Sequence, residues 1–236
     1  MKIEIWSDFT CPYCYIGKRK LELAIEQFKH KQFIQIEFKS YELNPDAYPY
    51  PNEEKTMKLA KKDCLLNEKK QETINRIKNQ AKEIGLTINF ENLEDANTFN
   101  AHRLVKYAEK QGKEANVIDL LFNRYFTDGE NIGDKNVLLS IAGEAGLDEE
   151  EVDSLLCLNK YGRAVQNDEL IAKEIGVEDV PFFIFNEQLA VSGIQPVEIF
   201  KNVLEEIWEE CKEEHIDGKK STEQCGKSYC IGNDCE

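Results

Sequence analysis

The sequence predicts an α/β fold that is interrupted by a long helical region. Apolar and polar residues alternate at 2–6 and again at 34–38, which is typical of half-buried strands. Strand character returns only at 181–192. From 53 to about 167 the pattern is mostly helical, with almost no alternation. The strands near both ends are therefore expected to share one sheet, with a helical domain inserted between them.

The first two strands flank an amphipathic helix. Its apolar stripe has members seven, four and three residues apart: Cys14, Leu21, Ile25 and Phe28. Strand, helix and strand form a βαβ unit, so the two strands are expected to run parallel with a right-handed crossover.

The middle of the chain is expected to be an all-helical insertion. The loop at 44–51 contains three prolines in seven residues, which excludes a regular helix or a central strand. Turn signals follow at Gly85, Asp128–Gly129, Gly143 and Gly146. We predict a thioredoxin-like domain formed by residues 1–45 and 166–211, a helical domain at 46–165, and a cysteine-containing tail at 212–236.

The end of the α/β part is predicted as a hairpin followed by a helix. Strands at 181–185 and 189–192 are separated by Asn186 and Glu187. The helix from about Pro196 to Cys211 has one apolar face, which should pack on the sheet.

Charge and composition limit the function classes. The 236 residues include 30 basic and 45 acidic side chains, and the net charge of -15 opposes binding to nucleic acid or to anionic membranes. The amino terminus shows no apolar stretch of signal-peptide length, so a cytoplasmic location is expected. In a reducing cytosol the eight cysteines are not expected to form structural disulfides.

Cys11, Pro12, Tyr13 and Cys14 lie where the first strand ends and the first helix begins, which is typical of a redox motif. The unpaired N–H groups and the dipole of a helix amino terminus favour a thiolate, so Cys11 is predicted to be the exposed attacking thiol. Pro12 suits the first helical position. Cys14, on the buried stripe, is predicted to resolve the mixed disulfide. Structural zinc needs two further ligands, and none lies nearby in the sequence.

The other cysteines divide into two groups. Cys157 is expected to be buried in a helix, and Cys64 is expected to be buried or a surface thiol. The tail cysteines Cys225, Cys230 and Cys235 are too many in a polar stretch to be core residues. They could form an accessory redox disulfide, bind zinc together with Cys211, or belong to an incidental tail.

The chain resembles the DsbA superfamily, and most closely its FrnE-like branch. The resemblance lies in three stretches, at 11–18, at 97–103 and at 180–186 with 191–193. It implies a thioredoxin-like fold with a helical insertion, a cis peptide bond before Pro181, and catalysis by Cys11, Cys14 and Pro181. Pro12, Tyr13 and Val180 would contact the substrate. The implied substrates are disulfide-containing proteins or small thiols, glutathione among them, with no cofactor.

Two features separate the chain from exported DsbA proteins: it has Tyr13 where they have histidine, and it shows no signal peptide. The direction of electron transfer is therefore open.

One alternative function is a glutathione-dependent isomerase or transferase of the same superfamily, but those enzymes use a serine at the reactive position. The other is a metal-binding module formed by the tail. His102, in the second resembling stretch, is expected to be a hydrogen-bonded helix residue.

Overall fold

The computed structural model describes residues 1–47, 67–216 and 230–231, and for 67–70, 211–216 and 230–231 it describes the backbone only. The strands are β1 (Lys2–Ser7), β2 (Gln35–Ser40), β3 (Phe182–Phe185), β4 (Leu189–Ser192) and β5 (Cys230–Ile231). The helices are α1 (Pro12–Gln27), α2 (Asn67–Glu83), α3 (Phe99–Lys110), α4 (Glu114–Asn123), α5 (Lys135–Glu144), α6 (Glu149–Cys157), α7 (Gly162–Glu174) and α8 (Val197–Ile216).

The chain forms two compact units. The first contains residues 1–7 and 13–39 together with the described part of 172–236. The second contains residues 8–12 and the described part of 40–171. The division passes through the Cys-Pro-Tyr-Cys motif, between Pro12 and Tyr13. The domain boundaries expected from the sequence stay a prediction.

The first unit is built on a mixed sheet with the strand order β2-β1-β3-β4-β5. β2 lies beside β1, as the βαβ interpretation expects. β1 pairs antiparallel with β3, with Ile5 opposite Phe183. β5 extends the far edge by pairing parallel to β4, with Cys230 opposite Ala190.

The predicted hairpin is present as β3 and β4, which pair antiparallel. Asn186 and Glu187 in the turn both have left-handed backbone angles, with φ of 52° and 60°. A turn with positive φ at two successive residues matches the right-handed twist of the strands it joins. Asn186 and Glu187 can therefore connect β3 and β4 as a tight hairpin.

Helix α8 packs on the sheet as predicted. Its residues Phe200, Val203, Leu204 and Ile207 are buried. The Phe200 ring meets the Phe183 ring of β3 edge-on, at 4.9 Å between ring centroids. The helix continues to Ile216, five residues beyond the predicted end at Cys211, because 212–216 contain no glycine or proline to end it.

The second unit is helical from α2 to α7, and its described residues from 67 to 171 contain no strand. Gly85, Gly129 and Gly146 adopt left-handed φ values of 80°, 73° and 71° where helical segments end, as the turn signals predict. Gly143 differs, because α5 continues to Glu144 and the stop falls at Gly146. None of the helices in the described ranges has the length and apolar character needed to cross a bilayer.

Arg103 of α3 fixes the carboxyl end of α6. Its side chain is buried, and its guanidinium donates hydrogen bonds to the backbone carbonyls of Leu155 and Leu156. A third bond, of 2.8 Å, reaches the carbonyl of Lys160 in the following turn. The last carbonyls of a helix have no partner within the helix, so a planar group with several donors is suited to satisfy them.

Candidate active site

The two motif cysteines lie at the start of α1, which begins at Pro12 as predicted. Strand β1 ends at Ser7, and a four-residue turn follows in which the Cys11 N–H donates to the Asp8 carbonyl at 3.2 Å. Cys11 therefore directly precedes the first helical residue. This is the position that the sequence analysis predicts for the attacking thiol.

Cys11 is buried, which corrects the prediction of an exposed thiol. Its residue surface is 4% exposed, against 1% for Cys14. Asp8 and Phe9 in the same turn are 1% and 2% exposed. The reason is that the turn belongs to the second unit and three of its four residues are buried, whereas the sequence argument considered only the end of a helix.

Cys14 lies on the buried side of α1, as the stripe predicts. Leu21, Ala24 and Phe28 are buried with it, and Phe28 follows the last helical residue. Ile25, also expected on this stripe, is only half-buried. Cys14 is thus one turn into a helix whose inner face packs in the core of the first unit.

Pro181 directly precedes β3, and the Val180–Pro181 peptide bond is cis. Helix α1 approaches this proline so closely that a Cβ on Gly17 would lie 2.9 Å from the Pro181 Cγ atom and 3.2 Å from the Phe183 ring. Only a glycine fits this contact without a shift of its neighbours. The sequence analysis gave Gly17 no role, and the only signal was a glycine inside a helical pattern.

The residues predicted to contact the substrate differ in exposure. Pro12 and Tyr13 are half-buried, whereas the Val180 side chain is 8% exposed. The Pro181 carbonyl accepts a hydrogen bond of 2.8 Å from the N–H of Gly193, the residue after β4. This bond fixes the start of β3 to the end of its partner strand.

A buried pair, Asp8 and His102, lies in the same unit as Cys11 and was missed as a site by the sequence analysis. Their exposures are 1% and 3%, and His102 Nε2 is 3.7 Å from Asp8 Oδ1. Burial by itself raises the pKa of Asp8, but the polar contact with His102 and its charge, together with the Leu43 N–H, outweigh burial and lower it. The Leu43 N–H donates to Asp8 Oδ2 at 2.8 Å.

His102 does not have the fully hydrogen-bonded ring expected from the sequence. Within the described part of the chain, its Nε2 atom has no partner at hydrogen-bond distance. The reason is that the ring is fixed on α3 by packing, with the Phe9 ring 4.8 Å away, and the nearest carboxylate oxygen stays slightly too far. The one signal in the sequence was an acidic residue, Asp8, three residues before the first cysteine.

The remaining cysteines do not join this site in the described structure. Cys157 is exposed rather than buried, because it is the last residue of α6 and lies 3.4 Å from the Lys135 Nζ atom at the surface. The described side chains include no group of three or more histidine, cysteine, aspartate or glutamate residues that could hold a metal ion. Cys230 contributes its backbone to β5. Cys64, Cys225 and Cys235 lie outside the described residues.

A cysteine pair at the start of the helix that follows the first strand defines the thioredoxin-like class of thiol proteins. A family model described as the DSBA-like thioredoxin domain matches residues 2–205. The chain therefore belongs to the DSBA-like thioredoxin family. This match confirms the predicted superfamily and the α/β, thioredoxin-like fold class. The FrnE-like branch is a narrower assignment and stays a prediction.

Three known proteins are similar to this chain in sequence or in fold. The crystal structure of SCO1869 from Streptomyces coelicolor, described as a probable DsbA oxidoreductase, has 33% identity and a TM-score of 0.79, covering 89% of this chain and 91% of its own. The uncharacterized protein YwbO of Bacillus subtilis is 28% identical over 206 residues, which are 86% of this chain and 94% of YwbO. The structure of the cytosolic disulfide reductase DsbM of Pseudomonas aeruginosa with GSH has a TM-score of 0.61, covering 89% of this chain and 100% of its own. At 14% identity, that likeness shows the fold alone.

Proposed function

We propose that the protein is a thiol-disulfide oxidoreductase in which Cys11 attacks and Cys14 resolves. The observation that carries the proposal is the placement of two cysteines at the start of α1, with Cys11 immediately before the first helical residue and Cys14 one turn inside the helix. The family match supports the same class of reaction. Pro181, in cis and in contact range of α1 at Gly17, is the third residue to which we assign a catalytic role.

In the reducing direction, the Cys11 thiolate attacks one sulfur of a substrate disulfide. A mixed disulfide forms and one substrate thiolate leaves. The Cys14 thiolate then attacks the Cys11 sulfur, so the Cys11–Cys14 disulfide forms and the second substrate thiolate leaves. Two electrons pass to the substrate, and the oxidising direction is the reverse. The reduction potential of the pair relative to its partners sets the direction.

The proposal is tested by removing the resolving thiol. Cys14→Ala should accumulate a covalent adduct with a disulfide substrate, because the first attack is retained and the second is lost. The adduct is mapped to Cys11 by mass spectrometry, and turnover is measured with insulin. Cys157→Ala is the matched control, since it removes an exposed cysteine and should leave turnover unchanged.

Two results would contradict the proposal. Absence of both the Cys14→Ala adduct and wild-type insulin reduction would exclude disulfide exchange as the activity. Full turnover of a glutathione-dependent isomerisation by Cys14→Ala would instead favour the isomerase or transferase alternative, which needs no resolving thiol.

The proposal includes glutathione as a small thiol substrate and the cytoplasm as the location. The Pseudomonas aeruginosa protein DsbM, which has the same fold, is described as a cytosolic disulfide reductase, and its structure is one with GSH. Incubation of the Cys14→Ala variant with oxidised glutathione should give a glutathione adduct on Cys11. Cell fractionation tests the location.

A further inference from the structure

Asp8 and His102 form a buried, ionisable pair that the exchange steps do not use. Both residues are nearly inaccessible, and His102 Nε2 lacks a hydrogen-bond partner among the described residues. A buried polar atom without a hydrogen-bond partner lowers the stability of the folded protein, and such an atom in a native structure is often explained by a functional role.

The pair is attached to the turn that ends at Cys11. The Asp8 carbonyl accepts the Cys11 N–H, and the Asp8 carboxylate accepts the Thr10 hydroxyl at 3.2 Å. His102 contacts the same turn twice, through the Asp8 carboxylate and through the Phe9 ring. All four residues of the turn are thereby held from α3 or from within the turn itself.

The pair also brings two ionisable groups to the turn that carries the thiol. The Cα atoms at the two ends of a hydrogen-bonded four-residue turn lie within about 7 Å of each other, so Asp8 and Cys11 are near neighbours. In a buried site, a carboxylate at such a distance disfavours a second negative charge. A positive charge on His102 would offset the Asp8 charge and so reduce the cost of a second negative charge in the turn.

We propose that His102 is a positioning residue for Cys11: it holds Asp8 and Phe9 in the turn and balances the Asp8 charge beside the attacking sulfur. The inference rests on the proposed function, in which Cys11 is the nucleophile. His102 acts through Asp8 and the turn, and it needs no contact with the substrate.

Other titratable groups face the pair and belong to the same electrostatic environment. Glu42 interacts with His102, Asp8 and Glu169, and Tyr125 interacts with Asp8. The neighbouring charges one turn along α3 are already paired, since Lys106 Nζ lies 2.7 Å from Asp168 Oδ2. Glu42 is the neighbour that could add negative charge, so the experiment is run both below and above neutral pH.

The test follows the alkylation of Cys11 by iodoacetamide from pH 5 to 9, quantified on the Cys11 peptide by mass spectrometry. All variants carry Cys14→Ser, so that one motif thiol titrates alone. His102→Gln should slow Cys11 alkylation at pH 7 by about threefold to tenfold, since an uncompensated Asp8 charge raises the midpoint of the profile by up to about one pH unit.

Asp8→Asn should have the opposite effect, giving an equal or faster rate, because the negative charge itself is removed. The double variant Asp8→Asn/His102→Gln should return close to the parent profile, since neither charge remains. A structural role alone would move both single variants in the same direction. His30→Gln is the matched control, because His30 belongs to the other unit and stacks on Trp208.

An unchanged profile in His102→Gln, or shifts of the same sign in both single variants, would overturn the inference. If His102→Gln does not fold, as judged by circular dichroism, Asp8→Asn decides: slower alkylation in that variant refutes the charge argument. The alkylation readout requires no substrate. A failure of this inference is therefore distinct from a failure of the proposed function, which the adduct and insulin assays report.

Discussion

At the scale of single residues, Glu42 shows how the surroundings of the site change an acid. Its N–H donates to the Glu169 carboxylate at 3.2 Å, and its own side chain is half-buried. Burial, and then the charges of Glu169 and Asp8, raise the pKa of Glu42 to about 7, although the charge of His102 opposes them. Glu42 therefore changes charge near neutral pH in the folded protein.

This shift predicts a pH dependence of stability. Because the folded state binds the Glu42 proton more tightly than the unfolded state, the stability contributed by Glu42 is fully present below its unfolded pKa and is lost as the pH rises through 7. Glu42→Gln cannot ionise. The free energy of unfolding of this variant, relative to wild type, should therefore increase between pH 5 and pH 8.

Urea denaturation at several pH values measures this difference. Glu205→Gln, which changes an exposed glutamate of α8, is the matched control and should show no such trend. A constant difference between Glu42→Gln and wild type across this range would contradict the predicted coupling.

At the scale of elements, the contact of α1 with the start of β3 depends on Gly17. Replacement of Gly17 by alanine puts a Cβ against a proline ring and an aromatic ring, and neither can move aside easily. Gly17→Ala should therefore destabilise the protein by about 1–3 kcal/mol, as is usual for overpacking, in spite of the better helix propensity of alanine. Chemical denaturation measures the change.

Gly143 in α5 provides the matched control. An alanine Cβ there would meet only the carboxylate end of Glu149, which can rotate away. Gly143→Ala should therefore be neutral or stabilise the protein by up to about 1 kcal/mol through helix propensity. Equal effects of the two substitutions would show that α1 does not pack on Pro181 as described.

Most elements could be predicted because their signals are local. The alternation at β1, the proline at the start of α1 and the two-residue turn of the hairpin all act within a few residues. The environment of Cys11 could not be predicted in this way. Its burial depends on the inclusion of the Asp8–Cys11 turn in the second unit, and that unit is formed by residues far along the chain.

At the scale of the whole molecule, the tail is the part whose role stays a prediction. Cys230 pairs by its backbone with β4, which places one part of the tail on the edge of the first unit's sheet. We expect a reversible disulfide among Cys225, Cys230 and Cys235 that exchanges with the motif thiols. Disulfides can be mapped by mass spectrometry in defined glutathione buffers. The tail disulfide and the Cys11–Cys14 disulfide should form together in oxidising buffers and disappear together in reducing buffers.

Replacement of the three tail cysteines by serine should leave Cys14→Ala trapping intact and abolish only the tail disulfide. Cys157→Ser is the control for loss of a cysteine elsewhere. Stoichiometric zinc in protein purified under reducing conditions, with tail thiols that do not oxidise, would reject the redox interpretation and support the metal-binding module.

The sequence by itself determined the class of this protein. Two local patterns carry this information: the Cys-Pro-Tyr-Cys motif between a strand and a helix, and the proline before an apolar hairpin. Each acts through the backbone of a few neighbouring residues. Only the tertiary structure decided the surroundings: the burial of Cys11, the contact of Gly17 with Pro181, and the pairing of Asp8 with His102. The physical reason is that such contacts join side chains from distant parts of the chain, and neither periodicity nor spacing encodes them.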